Sequence, residues 1–392
     1  MTQIIIIGGS IIGSSVAYHM AIAGEAGSIV VVEPDPAYEL AAAPRSAGGV
    51  RLMHGLPENI EMSRYGQEFY RNFAKLVEVD GEPGDFPFRE YGYLHLVAGR
   101  EEVEAAETNW RLQTSLGVAN ELLSPNEIAA RFPALRSDDI DAGLYGPGDG
   151  FIDPYAAVTG FRRKAITLGV RYIEDRVVDV TSDQTKVTGV TLGSGDKLEA
   201  EAVVNVAGAW APEICAMVGM KIPVEPLCRP TFYFETEDKL DTPLPLTKDP
   251  SGVSFRTEAT GYATGLTQRD DSGGFRWDMT EQDYAHFEGV LWPALAHRCA
   301  SFERLKVKRS WTGHYAMNRF DGNTIIGRWA GGLDNFYLAT GYSGAGVQKA
   351  PAVGRALTEL LVGGRYETID LSRLSYQRIL DDQPLREVGF SA

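Results

Sequence analysis

The sequence predicts an α/β fold: a three-layer, Rossmann-type nucleotide-binding domain, interrupted by an inserted domain built on a mainly antiparallel sheet. The first observation is an unbroken apolar run, Ile4–Ile7, typical of a parallel strand buried on both faces. The second is a glycine-rich turn at residues 8–13, directly before a helical pattern. The third is another apolar run ending in Glu33, 20 residues after Gly13. This order is typical of a dinucleotide-binding βαβ unit.

Each part of the unit has a physical role. The helix N-terminus faces the pyrophosphate, and Glu33 can accept hydrogen bonds from ribose hydroxyls, which disfavours NADP. Ser10 stands where the fingerprint usually has its middle glycine, so its Cβ crowds the pyrophosphate while its hydroxyl can donate to it. The unit alone does not separate NAD from FAD. The alternative interpretation is an ordinary α/β unit that binds no nucleotide.

Composition narrows the class of protein. A chain of 392 residues is long enough for two domains, and its net charge of −16 argues against nucleic-acid partners and anionic membranes. The three cysteines form no C-x-x-C pair, which favours a reducing compartment. Apolar runs are too short to insert into a membrane, and no His/Cys/Asp cluster shows metal-ligand spacing. We therefore expect a cytoplasmic protein without a bound metal.

Periodicity and turn residues give a coarse map of the chain. Helices are predicted at 14–23, 57–76, 101–117, 124–132, 154–168, 280–299 and 351–361. Strands are predicted at 86–98, 170–180, 187–192, 202–206, 305–311 and 336–340, with a strand-rich stretch at 222–268. We predict a discontinuous nucleotide-binding domain, formed by 1–85, 145–220 and 305–392. The substrate domain is then formed by 86–144 and 221–304.

Several separated motifs carry a family resemblance. They are residues 7–20, 45–51, 205–210, 311–315, 321–327 and 340–346. In this order and spacing the chain resembles the FAD-dependent D-amino-acid oxidase/glycine oxidase/sarcosine oxidase superfamily along nearly its whole length. It is most similar to the sarcosine oxidase-like branch.

The resemblance implies an FAD-binding domain and a set of cofactor-binding residues. FAD is contacted along its whole length, so the residues that bind it lie far apart in the sequence. The helix after residue 346 would turn its positive end toward the flavin. The implied residues are Gly8, Ser10, Ile11, Ile12, Gly13, Glu33, Pro34, Arg45, Ser46, Ala47, Gly48, Gly49, Val178, Ala207, Gly208, Trp210, Gly313, Gly341, Tyr342, Ser343, Gly344, Ala345, Gly346, Val347 and Gln348.

The chain departs from the family at three places. Gly313 occupies the position where monomeric sarcosine oxidases tether flavin through a cysteine, so FAD is expected to be non-covalent. Ala345 replaces a histidine of the glycine loop, and residues 260–265 lack the lysine that some oxidases place over the flavin. The electron acceptor, oxygen or another molecule, is therefore left open.

The resemblance also implies an amine substrate that carries a carboxylate. The candidate catalytic residues are Arg51, His54, Arg256, Tyr262 and Tyr315. Arg51 is the best-placed cation for a carboxylate, with contact to the flavin as its alternative role. Arg256 has a surface ion pair as its alternative. His54 lies near the position of an arginine that serves the carboxylate in sarcosine oxidases, which suggests a different substrate.

The leading functional hypothesis is oxidation of the C–N bond of a small amino acid. A secondary amine of the N-substituted glycine type, such as sarcosine or iminodiacetate, is favoured over a primary amine. The product would be an imine that hydrolyses to an aldehyde or glyoxylate plus an amine. One alternative is a D-amino-acid dehydrogenase, and another is a non-catalytic or electron-transferring flavin subunit of a hetero-oligomer. A homo-oligomer is also compatible with the sequence.

Overall fold

Two large sheets organise the chain, and a computed structural model describes residues 3–25, 28–84, 88–266, 274–329 and 331–387. The α-helices within these ranges are α1 (Ile11–Met20), α2 (Pro57–Arg71), α3 (Phe73–Leu76), α4 (Arg100–Ser115), α5 (Pro125–Arg131), α6 (Pro154–Thr167), α7 (Ala211–Met217), α8 (Glu281–His286), α9 (Trp292–Arg298), α10 (Gly346–Gly363) and α11 (Gln377–Leu380). Short π and 3-10 turns lie at Ala21–Glu25, Gly208–Trp210, Phe287–Leu291, Ala300–Phe302 and Ser372–Leu374.

The strands follow the same chain order. They are β1 (Ile4–Ile7), β2 (Ile29–Val32), β3 (Gly49–Val50), β4 (Tyr93–Val97), β5 (Glu121–Leu123), β6 (Ala142–Gly146), β7 (Gly150–Phe151), β8 (Arg171–Ile173), β9 (Val177–Ser182), β10 (Val187–Leu192), β11 (Lys197–Glu199), β12 (Ala202–Asn205), β13 (Val224–Thr236), β14 (Leu246–Lys248), β15 (Val253–Glu258), β16 (Gly261–Leu266), β17 (Leu305–Asn318), β18 (Ile325–Arg328) and β19 (Phe336–Thr340).

The first sheet has the order β18-β19-β12-β1-β2-β8, parallel except for β18. Its two faces are both buried. Ile6 packs with residues of α1, α6 and α10, whereas Ile5 and Ile7 pack toward α7 and the three-stranded sheet β11-β10-β9. The unbroken apolar run of β1 follows from this burial on both faces. The predicted three-layer, Rossmann-type arrangement is confirmed.

The second sheet has eight strands in the order β17-β13-β16-β15-β14-β4-β6-β5, and only its β14–β4 pair is parallel. This confirms a mainly antiparallel sheet. One face packs on α9 through an apolar cluster that includes Phe232, Phe255 and Leu295. β17 pairs with β13 along almost its whole length, so residues 305–318 extend this sheet. The domain boundaries themselves stay a prediction, and the boundary at 85/86 lies outside the described residues.

Two predicted elements differ from the structure in a way that matters for the site. The strand predicted at 305–311 continues to Asn318. The helix predicted to begin at Pro351 begins at Gly346, so Pro351 lies inside α10. A proline there leaves the carbonyl of Val347 without its helical donor. The Tyr70 hydroxyl of α2 donates to that carbonyl at 2.6 Å, which lets the helix continue through the proline.

Candidate active site

A cleft opens at the carboxyl ends of β1, β2 and β12, where parallel sheets bind their ligands. We call it the nucleotide cleft; it encloses about 1660 Å³, part of which is open to solvent. Many of the residues predicted to bind the cofactor line it together: Gly8, Ser10, Ile11, Ile12, Glu33, Pro34, Ser46, Ala207, Gly208, Trp210, Tyr342, Gly344, Gly346 and Val347.

The first glycine turn is shaped by close backbone packing. Gly8 has φ +100°, and a Cβ there would lie 2.9 Å from the carbonyl oxygen of Val206. Gly13 does not line the cleft; a Cβ on it would collide with the carbonyl oxygen of Gly8. The Ser14 hydroxyl donates to the Gly9 carbonyl at 2.6 Å. The turn therefore brings the start of α1 directly against the end of β1.

Ser10 is the residue that caps α1, yet its hydroxyl makes no capping hydrogen bond. Its Oγ is buried and has no hydrogen-bond partner within the part of the chain that the structure describes. Buried polar atoms are normally paired, so this atom is suited to a group that enters the cleft. A pyrophosphate oxygen at the N-terminus of α1 would accept from it.

Glu33 stands at the end of β2 beneath the glycine turn. Its Oε2 accepts from the Gly9 amide at 2.7 Å, and its Oε1 accepts from the Asp35 amide at 3.0 Å. Burial raises the pKa of this carboxyl above its usual value, while the two amide hydrogen bonds oppose the shift. Each oxygen keeps a lone pair for a ribose hydroxyl, as the sequence predicts.

The second glycine segment is tied to β17. The Arg45 Nη1 donates to the Thr312 carbonyl at 2.7 Å, and the indole of Trp311 donates to the Arg45 carbonyl at 3.0 Å. A Cβ on Gly313 would lie 3.3 Å from the Arg45 Cβ. Gly48 has φ +65° and abuts the Ile152 carbonyl. Small residues are needed here because three backbone segments meet.

The third glycine segment precedes α10. The Ser343 amide donates to the Ala316 carbonyl at 3.1 Å, and the Ser343 Oγ accepts from the Asn318 amide at 3.1 Å. Gly344 has φ +94°, and a Cβ there would lie 2.8 Å from the Tyr315 ring. The loop therefore seats Tyr315, a predicted catalytic residue, beside the N-terminus of α10.

A smaller cavity adjoins the cleft; we call it the sheet cavity. It encloses about 670 Å³ between the loop at residues 42–47 and strands β13–β17, and shares Ala42, Ser46, His314 and Tyr315 with the nucleotide cleft. Of the predicted residues, Arg45, Ser46, Ala47, Arg256, Gly313 and Tyr315 line it. Two distinct spaces thus meet at Tyr315.

Besides Arg45, two arginines line the sheet cavity. The Arg229 guanidinium lies 5.3 Å from the Tyr315 ring centroid, and the sequence analysis missed it. Arg256 packs on Phe151 at 4.2 Å and forms an ion pair with Glu258. Burial lowers the pKa of Arg256, and Glu258 opposes that effect. The Arg256 side chain is 8% exposed and that of Glu258 is 37% exposed, so the pair joins a buried guanidinium to a carboxylate at the surface.

His314 was also missed, although it stands next to Gly313 in a motif of the family. Its Nε2 accepts from the Arg276 amide at 2.9 Å, which places the proton on Nδ1. That Nδ1 is buried without a partner among the described residues. Burial, aided by Arg276 and Arg45, lowers the pKa of His314 to about 4. A neutral N–H donor therefore lies where the two spaces meet.

Tyr262 and Val178 lie away from both spaces. Tyr262 packs in the apolar cluster on the far face of the second sheet, 4.7 Å from the Phe302 ring centroid. Its neighbour Ala263 lines the sheet cavity instead, because successive strand residues face opposite sides. Val178 is 48% exposed, while Val177 lines the nucleotide cleft. In both cases the prediction is one residue away from the lining position.

Arg51 follows β3, and its guanidinium lies 5.5 Å from the Tyr93 ring centroid. Within the described ranges, that guanidinium makes no hydrogen bond or ion pair. His54 is 2% exposed and lines neither space. Burial lowers the pKa of His54 to about 4, so the ring is neutral and packed among α2 and α10.

The remaining predicted residues stand behind the linings and support them. They are Gly49, which pairs with Phe151, together with Gly341, Ser343, Ala345 and Gln348. Cleft-lining residues that sequence reasoning missed include Asp35, Leu40, Asp175, Arg176 and Glu213. No motif marks them, since they follow strands and turns of ordinary composition.

Comparison with known proteins identifies the family. The model of the FAD dependent oxidoreductases (DAO) matches residues 3–360. The chain belongs to this family. FAD-dependent oxidoreductase domain-containing protein 1 of Xenopus laevis is 34% identical over 98% of this chain and 84% of that protein. Mitochondrial sarcosine dehydrogenase of Homo sapiens is 24% identical over 93% of this chain and 40% of that protein.

A solved structure agrees with the sequence relatives. The crystal structure of L-proline dehydrogenase from P. horikoshii has a TM-score of 0.88 to this chain at 25% identity, covering 98% of this chain and 99% of that one. The resemblance to the sarcosine oxidase-like superfamily is confirmed. The protein is an FAD-dependent oxidoreductase, and the unpaired Ser10 hydroxyl and the glycine-lined cleft fit that cofactor.

Other features of the structure bear on the remaining expectations. The thiols of Cys215, Cys228 and Cys299 are all buried, and none lines either space. No helix in the described ranges is long and apolar enough to cross a membrane. Across the same residues, no group of three or more His, Cys, Asp or Glu side chains is arranged to hold a metal ion.

Proposed function

We propose that the protein oxidises the C–N bond of a small amino acid whose amine is secondary, such as an N-substituted glycine. The product is an imine, which water hydrolyses to a carbonyl compound and an amine. The observation that carries this proposal is a basic surface beside the sheet cavity, formed by Arg51, Lys248 and Arg229, in a chain of net charge −16. An anionic group of the substrate is what such a surface would attract.

The basic surface lies on one face of the second sheet. Register places Lys248 of β14 beside His95 of β4 and Ser254 of β15, and Ser254 lines the sheet cavity. Burial lowers the pKa of Lys248 to about 8, and the nearby charge of Arg51 adds to this effect. With Arg229 in the cavity wall, this face presents several cations. We assign Arg51 to the substrate carboxylate, because its guanidinium is available for a paired, charge-assisted hydrogen bond.

The chain's own residues position the substrate rather than remove its proton. Bound FAD supplies the acceptor of the hydride equivalent. The Nε2 of His314 already accepts the Arg276 amide, so this ring donates a hydrogen bond and cannot serve as the base. We expect the amine to bind unprotonated, so that kcat/KM rises with pH up to the pKa of the substrate amine.

The similar proteins support a secondary amine. Sarcosine dehydrogenase and L-proline dehydrogenase are both named for amino acids with a secondary amine and an α-carboxylate. The class of electron acceptor follows from the experiment below. A cytoplasmic location and a non-covalent flavin remain our predictions.

Anaerobic mixing tests the proposal. Holoenzyme is mixed with N-methyl, N-carboxymethyl, cyclic secondary and D-amino acids, and the oxidised flavin absorbance near ~450 nm is followed. Bleaching by secondary amino acids supports the proposal, whereas bleaching by primary D-amino acids alone would make the protein a D-amino-acid dehydrogenase. Reoxidation by air or only by an artificial dye then identifies the class of acceptor.

A second candidate is a flavin subunit without its own catalysis. It is favoured by Ser10, by Ala345, and by the lack of lysine at residues 260–265. If the protein retains FAD and no amino acid of the panel bleaches it, this second function replaces the first.

A further inference from the structure

We propose that Glu387 is a positioning residue for Arg51, acting through His54 and Gln348. This inference rests on the proposed function, because it concerns how the carboxylate-binding arginine is held. It assigns a role to the buried polar cluster between α2, α10 and the C-terminal segment. Glu387 touches neither space, so it acts only through other side chains.

A continuous series of polar contacts joins Glu387 to Arg51. The Glu387 Oε1 lies 3.6 Å from the Nδ1 of His54. The Nε2 of His54 lies 2.9 Å from the Nε2 of Gln348. The Oε1 of Gln348 accepts from the backbone amide of Arg51 at 2.8 Å. These four residues come from the C-terminal segment, from α10 and from the segment that follows β3.

The direction of the hydrogen bond between Gln348 and His54 follows from the one between Gln348 and Arg51. A backbone amide can only donate, so Gln348 must turn its oxygen toward Arg51 and its NH2 toward His54. His54 must then accept at Nε2 and carry its proton on Nδ1, which faces Glu387. A carboxylate at Glu387 favours this tautomer, and the tautomer in turn fixes the orientation of the Gln348 amide.

The charge states agree with this arrangement. Burial lowers the pKa of His54 to about 4, although Glu387 opposes the shift. Burial acts to raise the pKa of Glu387, but His54, Lys349 and Asn59 lower it to about 2. Arg51 and Lys349 are the other charged groups that face His54. Around neutral pH the ring is therefore neutral and the carboxylate ionised.

The surrounding residues hold Glu387 in place. Its side chain is 11% exposed, and Asn59 of α2 donates to its Oε1. The Nζ of Lys349 donates to the Oδ1 of the same asparagine at 2.8 Å. Lys349 is therefore a support of the cluster. A loss of the Glu387 charge would release the Gln348 amide and let the Arg51 backbone move.

The test measures carboxylate binding separately from catalysis. Holoenzyme of Glu387→Gln is compared with Asp382→Asn, a control that removes an exposed carboxylate from the same C-terminal segment. The probe is methoxyacetate, a carboxylate of the size of an N-methylated glycine, and its Kd is read from the flavin absorbance. We expect Glu387→Gln to weaken binding roughly 5- to 10-fold, the loss expected for one hydrogen-bonded contact, with unchanged flavin content. Glu387→Asp should restore part of it.

A double-mutant cycle separates positioning from general loss of structure. Gln348→Met removes both amide hydrogen bonds at similar volume and should weaken methoxyacetate binding to a similar extent. If Glu387 acts through Gln348, the double variant is no weaker than Gln348→Met alone. Additive losses, or a Glu387→Gln variant that binds like the Asp382→Asn control, would overturn the inference.

Arg51→Gln shows which proposal has failed. If it abolishes methoxyacetate binding while Glu387→Gln has no effect, Arg51 keeps its role and the positioning inference is wrong. If Arg51→Gln binds methoxyacetate normally, the carboxylate role of Arg51 in the proposed function is wrong, whatever the Glu387 variant does.

Discussion

The nucleotide cleft and the sheet cavity are built by different means. The cleft is lined by residues of several short turns and loops, such as Gly8, Ser10, Gly344 and Gly346. The sheet cavity is lined by side chains such as Arg229, Ser254 and Arg256, which strand register brings together. The geometry of a glycine turn is determined by a few consecutive residues, whereas the wall of the cavity depends on pairing between strands that are distant in the sequence. The cleft therefore tolerates few substitutions, and its residues can be predicted from local sequence. The sheet cavity tolerates more substitutions, and its residues cannot be predicted from local sequence.

The largest expected effect, the loss of most of the bound flavin, belongs to the cleft. Gly13→Ala places a methyl group against the Gly8 carbonyl and forces α1 away from β1, at a cost of about 1–3 kcal/mol. We expect protein that folds but purifies largely without flavin, measured as the ratio of flavin to protein absorbance. Gly289→Ala is the matched control, because no atom lies within 4 Å of its added Cβ. Equal flavin content in the two variants would contradict this account of the cleft.

The next effect belongs to the substrate side. Arg51→Ala should lower kcat/KM for a carboxylate substrate, because the free energy of the transition state rises by about 2–4 kcal/mol, the usual cost of breaking a hydrogen-bonded charge pair. Arg256→Ala should have a smaller effect on kcat/KM, because Glu258 already neutralises that guanidinium. Flavin content is measured alongside. If Arg51→Ala loses flavin rather than activity, Arg51 contacts the cofactor and is part of the cofactor site rather than the substrate site.

Ser10 offers a finer test within the cleft. Ser10→Ala removes the hydroxyl that has no partner among the described residues and should weaken FAD binding by about 1.5–3 kcal/mol, the range for a hydrogen bond to a charged group. Ser10→Gly removes the Cβ as well, and the difference between the two variants isolates the crowding of the pyrophosphate. Kd values come from recovery of flavin fluorescence on dilution. Wild-type affinity in Ser10→Ala would show that the hydroxyl makes no contact with FAD.

The last effect concerns the pH dependence of stability and depends on Asp149, which accepts from the Leu52 amide at 3.1 Å just after Arg51. Burial raises the pKa of Asp149 to about 7, from an unfolded value of about 3.9. The folded state therefore binds more protons between these values, and the free energy of unfolding falls as pH rises from about 4 to 7. Asp149→Asn removes this loss of stability, because the asparagine side chain does not ionise.

Urea unfolding of wild type and Asp149→Asn at pH 5 and pH 8 checks the sign. The variant should gain stability relative to wild type at the higher pH, and the gain should be smaller at the lower pH. The comparison within one pH cancels the other titrating groups. A constant difference between the two proteins would show that Asp149 is not the group responsible.

The residues of the nucleotide cleft were easier to predict from the sequence than those of the sheet cavity, for a physical reason. Gly8, Ser10, Glu33 and Gly344 were found because their conformations and spacing are local properties of the chain. Arg229 was missed because only the pairing of β13 with β17 places it beside Tyr315. His314 directly precedes Tyr315 in a motif of the family, so the sequence did carry a signal for it. Tyr262 was placed on the wrong face, since alternation assigns faces only once the register is known.

Pro351 affects how a movement of one helix is transmitted to another. Because it lacks an amide hydrogen, the first turn of α10 is held at Val347 by the hydroxyl of Tyr70 on α2. The glycine loop before α10 is thus coupled to α2 through a side chain as well as to its own helix. A displacement of α2 would be transmitted to the loop, while fraying at the distal end of α10 would stop at the proline.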